Sequence, residues 1–252
     1  MAITATHYRI YRSLREQGIL PQGGALLELG EANWYNDADP ALLKEDILQF
    51  VDGITTRCQL LSRLDDNPDL FDLAKVFYGA LFQPGEMQAI DMHGTLFAQN
   101  LDLNFPVVLD RKFNVIINNG TAEHVFNIGQ VFCTIHNYSL PGALMIHDGP
   151  LMGWLDHGFY CPQPTLYFDM AAANGYEIVC MFVTCLDSLD ATQITSREQL
   201  HTLAQSGEVP ENAMLFTVMR RGFYDRPFKV PMQGYYAGEL SDQAKENWRT
   251  LR

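Results

Sequence analysis

The sequence predicts a single α/β domain built on a mostly parallel sheet with helices on both faces. Short apolar runs, typical of buried strands, alternate with segments of helical periodicity along most of the chain. The 252 residues are long for one such domain and short for two, so we expect residues 1–252 to form one domain with an insertion. Hydrophobic residues make up 47% of the chain, which is enough to fill a sizeable core.

The first part of the chain is expected to hold a helix, a strand and a helical insertion. Thr6–Gln17 carries apolar residues on one helical face, and the apolar run Ala25–Leu29 lies between glycines and predicts a buried strand. Asp39-Pro40 and Asn67-Pro68 are each typical of a helix start, with proline in the first turn. We therefore predict a pair of amphipathic helices within residues 39–86, and we expect this insertion to cover the mouth of a binding site.

The rest of the chain continues the alternation, and we expect seven strands in all. Further strands are predicted at Met87–Asp91, Phe113–Asn118, Ala143–His147, Glu177–Thr184 and Ala213–Met219. Helices are predicted over residues 125–135, at Pro164–Ala173, from Ser196 onward and at Ser241–Leu251. Leu140-Pro141-Gly142 is read as a turn, and Ser196 with Gln199 fits a capping box.

Charge and composition exclude several classes of partner. The formal net charge of −13 would repel phosphate backbones, so we expect no nucleic acid partner. No apolar run reaches the length of a membrane span, and the N-terminus lacks the apolar core of a signal peptide, so a cytoplasmic location without a membrane partner is expected. The five cysteines form no CxxC pair and fit reduced thiols. Homo-oligomerisation is left open.

Polar residues concentrate directly after four of the predicted strands. They occur at Gly30–Trp34, Asp91–Gly94, Asn118–His124 and His147–Pro150. In open α/β sheets, ligands bind outside the carboxyl ends of the strands, near the point where strand order reverses. The sequence therefore predicts a small-molecule site at this edge of the sheet.

The same four places carry a resemblance to a known family. ALLELGEAN, AIDMHGT, FNVIINNGTAEHV and HNYSLPGALMIHDGP occur in an order that resembles the class I S-adenosylmethionine-dependent methyltransferases, over roughly Ala25 to Met219. The resemblance implies a Rossmann-like methyltransferase fold and S-adenosylmethionine as cofactor. It also implies methyl transfer to oxygen or nitrogen of a small-molecule acceptor, with specialised metabolism as one setting.

The resemblance further implies which residues hold the cofactor. Glu28 and Gly30, with Glu31 and Asn33 in the same loop, would approach its methionine part; Asp91 and Met92 would meet the ribose; Asp102 and Leu103 would lie along the adenine; Asn119 and Gly120 would border the sulfonium. Chemistry agrees, because glycine lets backbone approach a ligand closely and a carboxylate suits a diol. Asp91 could instead cap the turn that follows it.

The acid–base candidates are His124, His157 and Asp148. Methyl transfer to oxygen or nitrogen needs a deprotonated acceptor, and histidine titrates near neutrality. His147, Trp154 and Tyr160 belong to the segment after the fourth strand, which we expect to bind the acceptor. Two other interpretations stay open. Glu123 could simply complement a helix N-terminus, and His147, Asp148 and His157 could hold a metal, although we predict none.

Two other classes of function remain beside the methyltransferase. A catalytically silent binding or scaffold protein of the same fold stays open, because Ala32 and Trp34 stand where the family commonly has glycines. A nicotinamide-dependent oxidoreductase is disfavoured. GEANWY lacks the GxGxxG pattern that lets a pyrophosphate reach a helix N-terminus.

Overall fold

A computed structural model describes residues 2–35, 37–185 and 188–250 of the chain. Numbered in chain order, its strands are β1 (Ala2–Ile3), β2 (Ala25–Leu29), β3 (Asn33–Trp34), β4 (Glu86–Ile90), β5 (Ala98–Gln99), β6 (Phe113–Asn119), β7 (Ser139–Pro150), β8 (Glu177–Cys185), β9 (Ala191–Gln193) and β10 (Ala213–Arg220). The helices are α1 (Ala5–Glu16), α2 (Ala41–Phe50), α3 (Ile54–Asp65), α4 (Leu70–Phe82), α5 (Ile128–Tyr138), α6 (Pro164–Asn174), α7 (Arg197–Ser206), α8 (Gly234–Ala237) and α9 (Asp242–Thr250).

Eight of these strands form one sheet in the order β5-β4-β2-β6-β7-β10-β8-β9. The strands from β5 to β7 pair in parallel, whereas β10 runs antiparallel to both of its neighbours. This sheet confirms the predicted class and has one strand more than the seven expected. The sequence placed six of the eight, and the short edge strands β5 and β9 were not located. Strand order reverses between β2 and β6, so the predicted binding edge lies at this reversal.

Each face of the sheet is covered by its own apolar core, because the mostly parallel strands are apolar on both sides. On one face, Tyr11 of α1 packs edge-on against Phe77 of α4 and against Phe216 of β10, and all three side chains are buried. The other face is covered by α5 and α6, where Phe132 meets Tyr167 edge-on. The sheet is therefore held from both sides, and its carboxyl edge is left for loops.

The insertion contains three helices, so the prediction of two is wrong. The apolar positions from Leu42 to Ile54 keep one helical period and predict a single helix there. Val51 is instead extended (φ −101°, ψ 106°) and ends α2, and α3 begins at Ile54. Ile54 is exposed, so its apolar character misled the periodicity. In α4, every residue from Leu73 to Phe82 is buried, which makes this helix part of the core.

Strand β7 is also longer than predicted. It begins at Ser139 and includes the Leu140-Pro141-Gly142 segment, which was predicted as a turn. Gly142 has a φ of +79°, and the pairing of β6 with β7 shifts its register at this end. The strand therefore absorbs the expected turn as an irregularity at its start.

The described residues contain no helix long and apolar enough to cross a membrane. All five cysteines are free, as expected from their spacing.

The N-terminal strand β1 lies at the carboxyl edge of the sheet. It pairs in parallel with β3, the short strand in the loop after β2.

Candidate functional site

A cavity of about 340 Å³ opens at the carboxyl edge of the sheet, beside the reversal in strand order. Its walls come from the segments after β2, β4 and β6 and from the loop between β5 and β6. Seven of the predicted site residues line it, namely Gly30, Asp91, Met92, Asp102, Leu103, Gly120 and His124. Residues far apart in the sequence therefore converge on one space.

Asp91 follows β4 and holds the backbone on both sides of the cavity mouth. Its carboxylate accepts hydrogen bonds from the backbone N–H of Glu31, at 2.9 Å, and from that of His93, at 2.8 Å. The turn-capping interpretation is thus correct. A carboxylate has about four lone-pair sites, so two remain for a ligand.

Asp102 and Leu103 form a tight turn on another wall. One oxygen of Asp102 accepts from both the backbone N–H and the side-chain amide of Asn104, each at 2.8 Å. The carbonyl oxygen of the Asn104 side chain in turn accepts from the backbone N–H of Asn127 at 2.9 Å. This network fixes the buried Leu103 side chain beside the cavity.

Gly30 and Gly120 let the backbone approach the cavity. Both have positive φ, +79° and +71°, a conformation that side chains with a Cβ rarely adopt. The N–H of Gly30 donates to the carbonyl of Ile90 at 2.7 Å, and that of Gly120 to the carbonyl of Asp148 at 2.8 Å. The two glycines therefore close the ends of β2 and β6 without adding side chains.

Glu31 points away from the cavity into a buried ion pair. Its carboxylate lies 2.5 Å from the Lys75 ammonium and accepts from the backbone N–H and the hydroxyl of Thr95, at 2.6 and 2.9 Å. Asn33 lies on β3, in register with Ala2 of β1. Among the described residues, neither Glu31 nor Asn33 lines the cavity, although both were predicted to contact the cofactor.

Asn119 is buried, and its amide donates to the backbone carbonyl of Ala2 at 3.2 Å. The Asn119 side chain, which the resemblance implied beside the sulfonium end of a cofactor, is thus bound to the N-terminal strand. Like Glu31, Asn119 serves the local structure, and only its neighbour Gly120 reaches the cavity.

Glu28 is sealed beneath the cavity. Burial raises its pKa to about 8, although the nearby backbone N–H of Ala32, at 3.3 Å, favours the ionised form. The side chain is 2% exposed. Glu28 is not part of the cavity lining, and we interpret it as a carboxyl group held protonated near neutral pH.

The raised pKa of Glu28 predicts a pH-dependent stability. The folded state binds this proton more tightly than the unfolded chain, so the free energy of unfolding should fall as pH rises from about 4.5 to about 8. Glu28→Gln cannot ionise and should show a flatter decline. Denaturant unfolding of both proteins at about pH 5, 6.5 and 8 measures the difference. Parallel profiles would show that Glu28 ionises as readily in the folded chain as in the unfolded one.

Glu123, His124 and His157 come together beside the cavity. Glu123 and His124 lie in a short 3₁₀ turn after β6, and His157 lies in the loop after β7. The Nε2 atoms of both histidines are 3.8 Å from Oε1 of Glu123, and the two imidazole rings are 4.9 Å apart. The loop after β7 therefore places His157 beside His124, the other histidine predicted as an acid–base candidate.

Burial shifts the pKa values of this cluster. It raises the pKa of Glu123 to about 7, and the Asp148 carboxylate adds to the effect. Burial also lowers the pKa of His124, and the charge of His157 acts in the same direction. A neutral imidazole at His124 is thus favoured near neutral pH, which is the state that can accept a proton.

Asp148 and His147 are sealed inside the protein, where no acceptor reaches them. Asp148 lies 2.8 Å from Nε2 of His7 on α1, and both side chains are buried. His147 packs between Phe132 and Tyr167, and burial lowers its pKa to about 3. The predicted proton-transfer role of Asp148 and acceptor contact of His147 have no geometric support, because strand β7 continues past them.

Trp154 and Tyr160 fasten the His157 loop to the rest of the chain. Nε1 of Trp154 donates to the carbonyl of Ala213 at 2.9 Å, and the Tyr160 hydroxyl donates to that of Phe126 at 2.7 Å. Trp154 also lies edge-on to the His157 ring, 5.0 Å away. Both side chains thus position the loop in this structure.

The insertion at residues 39–86 was expected to cover the mouth of the binding site. Among the described residues, none from this insertion lines the cavity, so no contact supports that expectation.

Sequence reasoning missed three functional contributors. His7 was read only as part of an N-terminal helix, yet its Nε2 atom is a hydrogen-bond partner of the buried Asp148 carboxylate. Lys75 was overlooked because it lies among the apolar residues of α4. A lone lysine in such a stripe indicates a buried carboxylate partner. Glu123 was left between a helix-end charge and a functional residue and was not placed in the site, although its neighbour His124 was singled out.

No protein-family model and no curated protein matches the chain. Solved structures do match it. A methyltransferase from Mesorhizobium loti, described as S-adenosylmethionine-dependent, shares 12% identity at a TM-score of 0.49, over 86% of this chain and 98% of that one. The N-methyltransferase NodS from Bradyrhizobium japonicum, in complex with S-adenosylhomocysteine, shares 9% at 0.45, over 86% and 88%. The [4+2]-cyclase SpnF shares 11% at 0.44, over 86% and 82%.

These likenesses are too distant to assign an activity, and the fold is established by the chain's own strand order. Six strands run in one direction, β10 runs antiparallel between β7 and β8, and helices cover both faces. This is the mostly parallel Rossmann-like sheet that the sequence predicts.

Proposed function

We propose that this chain binds S-adenosylmethionine at the carboxyl edge of its sheet and transfers the methyl group to oxygen or nitrogen of a small molecule. One observation carries the proposal: Gly30, Asp91, Asp102 and Gly120 line the same cavity. The sequence resemblance assigned these same residues to cofactor contacts. The cavity volume of about 340 Å³ also falls in the range usual for small-molecule sites.

The adenosine half of the cofactor has the best-supported assignment. Asp91 would accept hydrogen bonds from the ribose diol through its two remaining lone-pair sites. Met92 and Leu103 supply apolar surface near the nucleoside, and Asp102 offers a carboxylate for the adenine amino group. The backbone at Gly30 and Gly120 would then border the sulfonium end of the cofactor.

The acceptor would sit between the sulfonium and the His157 loop. His124 lines the cavity and contacts His157, so either imidazole could take the acceptor's proton. Positioning the acceptor in line with the methyl group would supply much of the rate. A cytoplasmic setting and the absence of a nucleic acid partner remain predictions from composition.

Asp91→Ala tests the cofactor assignment. Removing a charged acceptor should weaken S-adenosylmethionine binding by about 1–3 kcal/mol, or roughly 5- to 150-fold. Calorimetric titration with S-adenosylmethionine and S-adenosylhomocysteine measures this, with Asp110→Ala as the matched control. Asp110 is an exposed carboxylate on the loop before β6 and pairs with Arg111. A folded Asp91→Ala protein with unchanged affinity would remove Asp91 from the site.

A catalytically silent binding or scaffold protein is the second candidate, and one observation favours it. The methionine end of the expected site is occupied by internal contacts, because Glu31 pairs with Lys75 and Asn119 binds the N-terminal strand. If the wild type binds neither cofactor form at millimolar concentration, the scaffold function replaces the methyltransferase.

A further inference from the structure

Glu123 carries a buried carboxylate oxygen that lacks a hydrogen-bond partner within the described part of the chain. The side chain is 2% exposed, and Oε1 is the unpartnered atom. Leaving such an oxygen unsatisfied is costly, and unpaired buried polar atoms in native proteins often mark an ion or a water. Oε1 is also the atom that faces both His124 and His157.

The three donor atoms have nearly the spacing of metal ligands. Oε1 of Glu123 lies 3.8 Å from Nε2 of each histidine. One ligand atom from each of the three residues lies within 4.8 Å of the other two. Tetrahedral ligands at about 2.1 Å from a cation are about 3.4 Å apart. Both imidazoles are partly exposed, by 46% and 38%, so small side-chain movements can close the remaining gap.

The loop that carries His157 is fixed to Glu123 by the backbone. The N–H of Phe159 donates to the Glu123 carbonyl at 2.8 Å. A Cβ at Gly158 would lie 3.0 Å from that carbonyl oxygen and 3.2 Å from Nδ1 of His124, so glycine permits the close approach. Backbone contacts of the adjacent residues therefore hold His157 beside Glu123 and His124.

We propose that Glu123, His124 and His157 form a binding site for a divalent transition-metal cation. Two imidazoles and one carboxylate suit Zn²⁺, Mn²⁺, Fe²⁺ or Co²⁺, whereas Mg²⁺ and Ca²⁺ prefer oxygen ligands alone. Because the described residues supply three ligands, coordination positions stay open to water or to an oxygen of a bound molecule.

One consequence rests on the proposed function. His124 lines the cavity, so the cation would lie at its rim, where an acceptor hydroxyl could coordinate. Coordination lowers the pKa of the hydroxyl, whose proton leaves to water. The oxygen then forms a bond to the methyl carbon as the carbon–sulfur bond breaks, and its electron pair passes to sulfur. The cation would thus replace a histidine as the means of activating the acceptor.

The test is calorimetric titration of the full-length, tag-free protein with ZnCl₂ or MnCl₂ after treatment with a chelator. We expect one Zn²⁺ per chain with micromolar or tighter affinity, and far weaker binding of MgCl₂. Glu123→Gln and His157→Ala should each weaken Zn²⁺ binding by about 10–100-fold or more. His201→Ala is the matched control, because it removes a histidine of α7 that is outside this cluster and should leave Zn²⁺ affinity unchanged.

The outcomes are separable. His157→Ala lies on a partly exposed loop, so the test survives if Glu123→Gln fails to fold. Wild-type protein without micromolar Zn²⁺ binding, or a folded His157→Ala protein with unchanged affinity, overturns the metal site. S-adenosylhomocysteine titration of the metal-free protein judges the cofactor proposal independently, so either can fail while the other holds.

Discussion

Lys75→Met is expected to lower the free energy of unfolding by about 3–5 kcal/mol, the usual effect of breaking a buried ion pair by removing one partner. Lys75 is 9% exposed and lies 2.5 Å from the fully buried carboxylate of Glu31. Methionine preserves the volume but leaves that charge without a cation. The two donors from Thr95 remain, yet they cannot neutralise it. Chemical denaturation followed by circular dichroism measures the loss.

The double variant Lys75→Met with Glu31→Gln is the matched control. Removing both charges should recover most of the lost stability, because no uncompensated ion is left behind. A loss below about 1 kcal/mol in the single variant would mean that water already solvates Glu31. The single variant should also weaken cofactor binding, because Glu31 holds the Thr95 turn and its backbone N–H is bound by Asp91 at the cavity mouth.

The sequence predicted the strands and the binding edge well because both depend on local patterns. Apolar runs bounded by glycines placed β2 at Ala25–Leu29, the same bounds that the structure gives. Polar residues after strands marked the edge, and Asp91, Asp102 and Gly120 do converge on one cavity. Asp91 and Gly120 follow from strand periodicity and from the topology of a parallel sheet, whereas Asp102 was implied by the family resemblance.

The remaining errors concern side chains whose roles are decided by distant partners. Asp148 was expected to be free for catalysis, yet His7, 141 positions away, binds it. Glu31 was expected to face a ligand, yet Lys75 on α4 holds it. No local pattern reports such pairings, since they depend on how α1 and α4 pack on the sheet. Lone charged residues within apolar stripes are the one usable signal.

Turnover should fall by about 10²–10⁴-fold in His124→Ala or His157→Ala, the range typical of a lost general base, while S-adenosylhomocysteine affinity stays nearly unchanged. Burial lowers the pKa of His124, so its imidazole is neutral and able to take a proton near neutral pH. Steady-state kinetics with an identified acceptor measures turnover, and calorimetry measures cofactor affinity. A structural loss would instead reduce stability and cofactor binding together.

A chelator separates the two ways in which these histidines could act. If an imidazole is the base, turnover of the wild type should survive chelator treatment, and Glu123→Gln should change it little. If the cluster holds a cation, chelation should reduce turnover to the level of the histidine variants, and added Zn²⁺ or Mn²⁺ should restore it only in the wild type. Two folded histidine variants that both keep wild-type turnover would reject both mechanisms. Proximity of the acceptor to the methyl group would then account for the rate by itself.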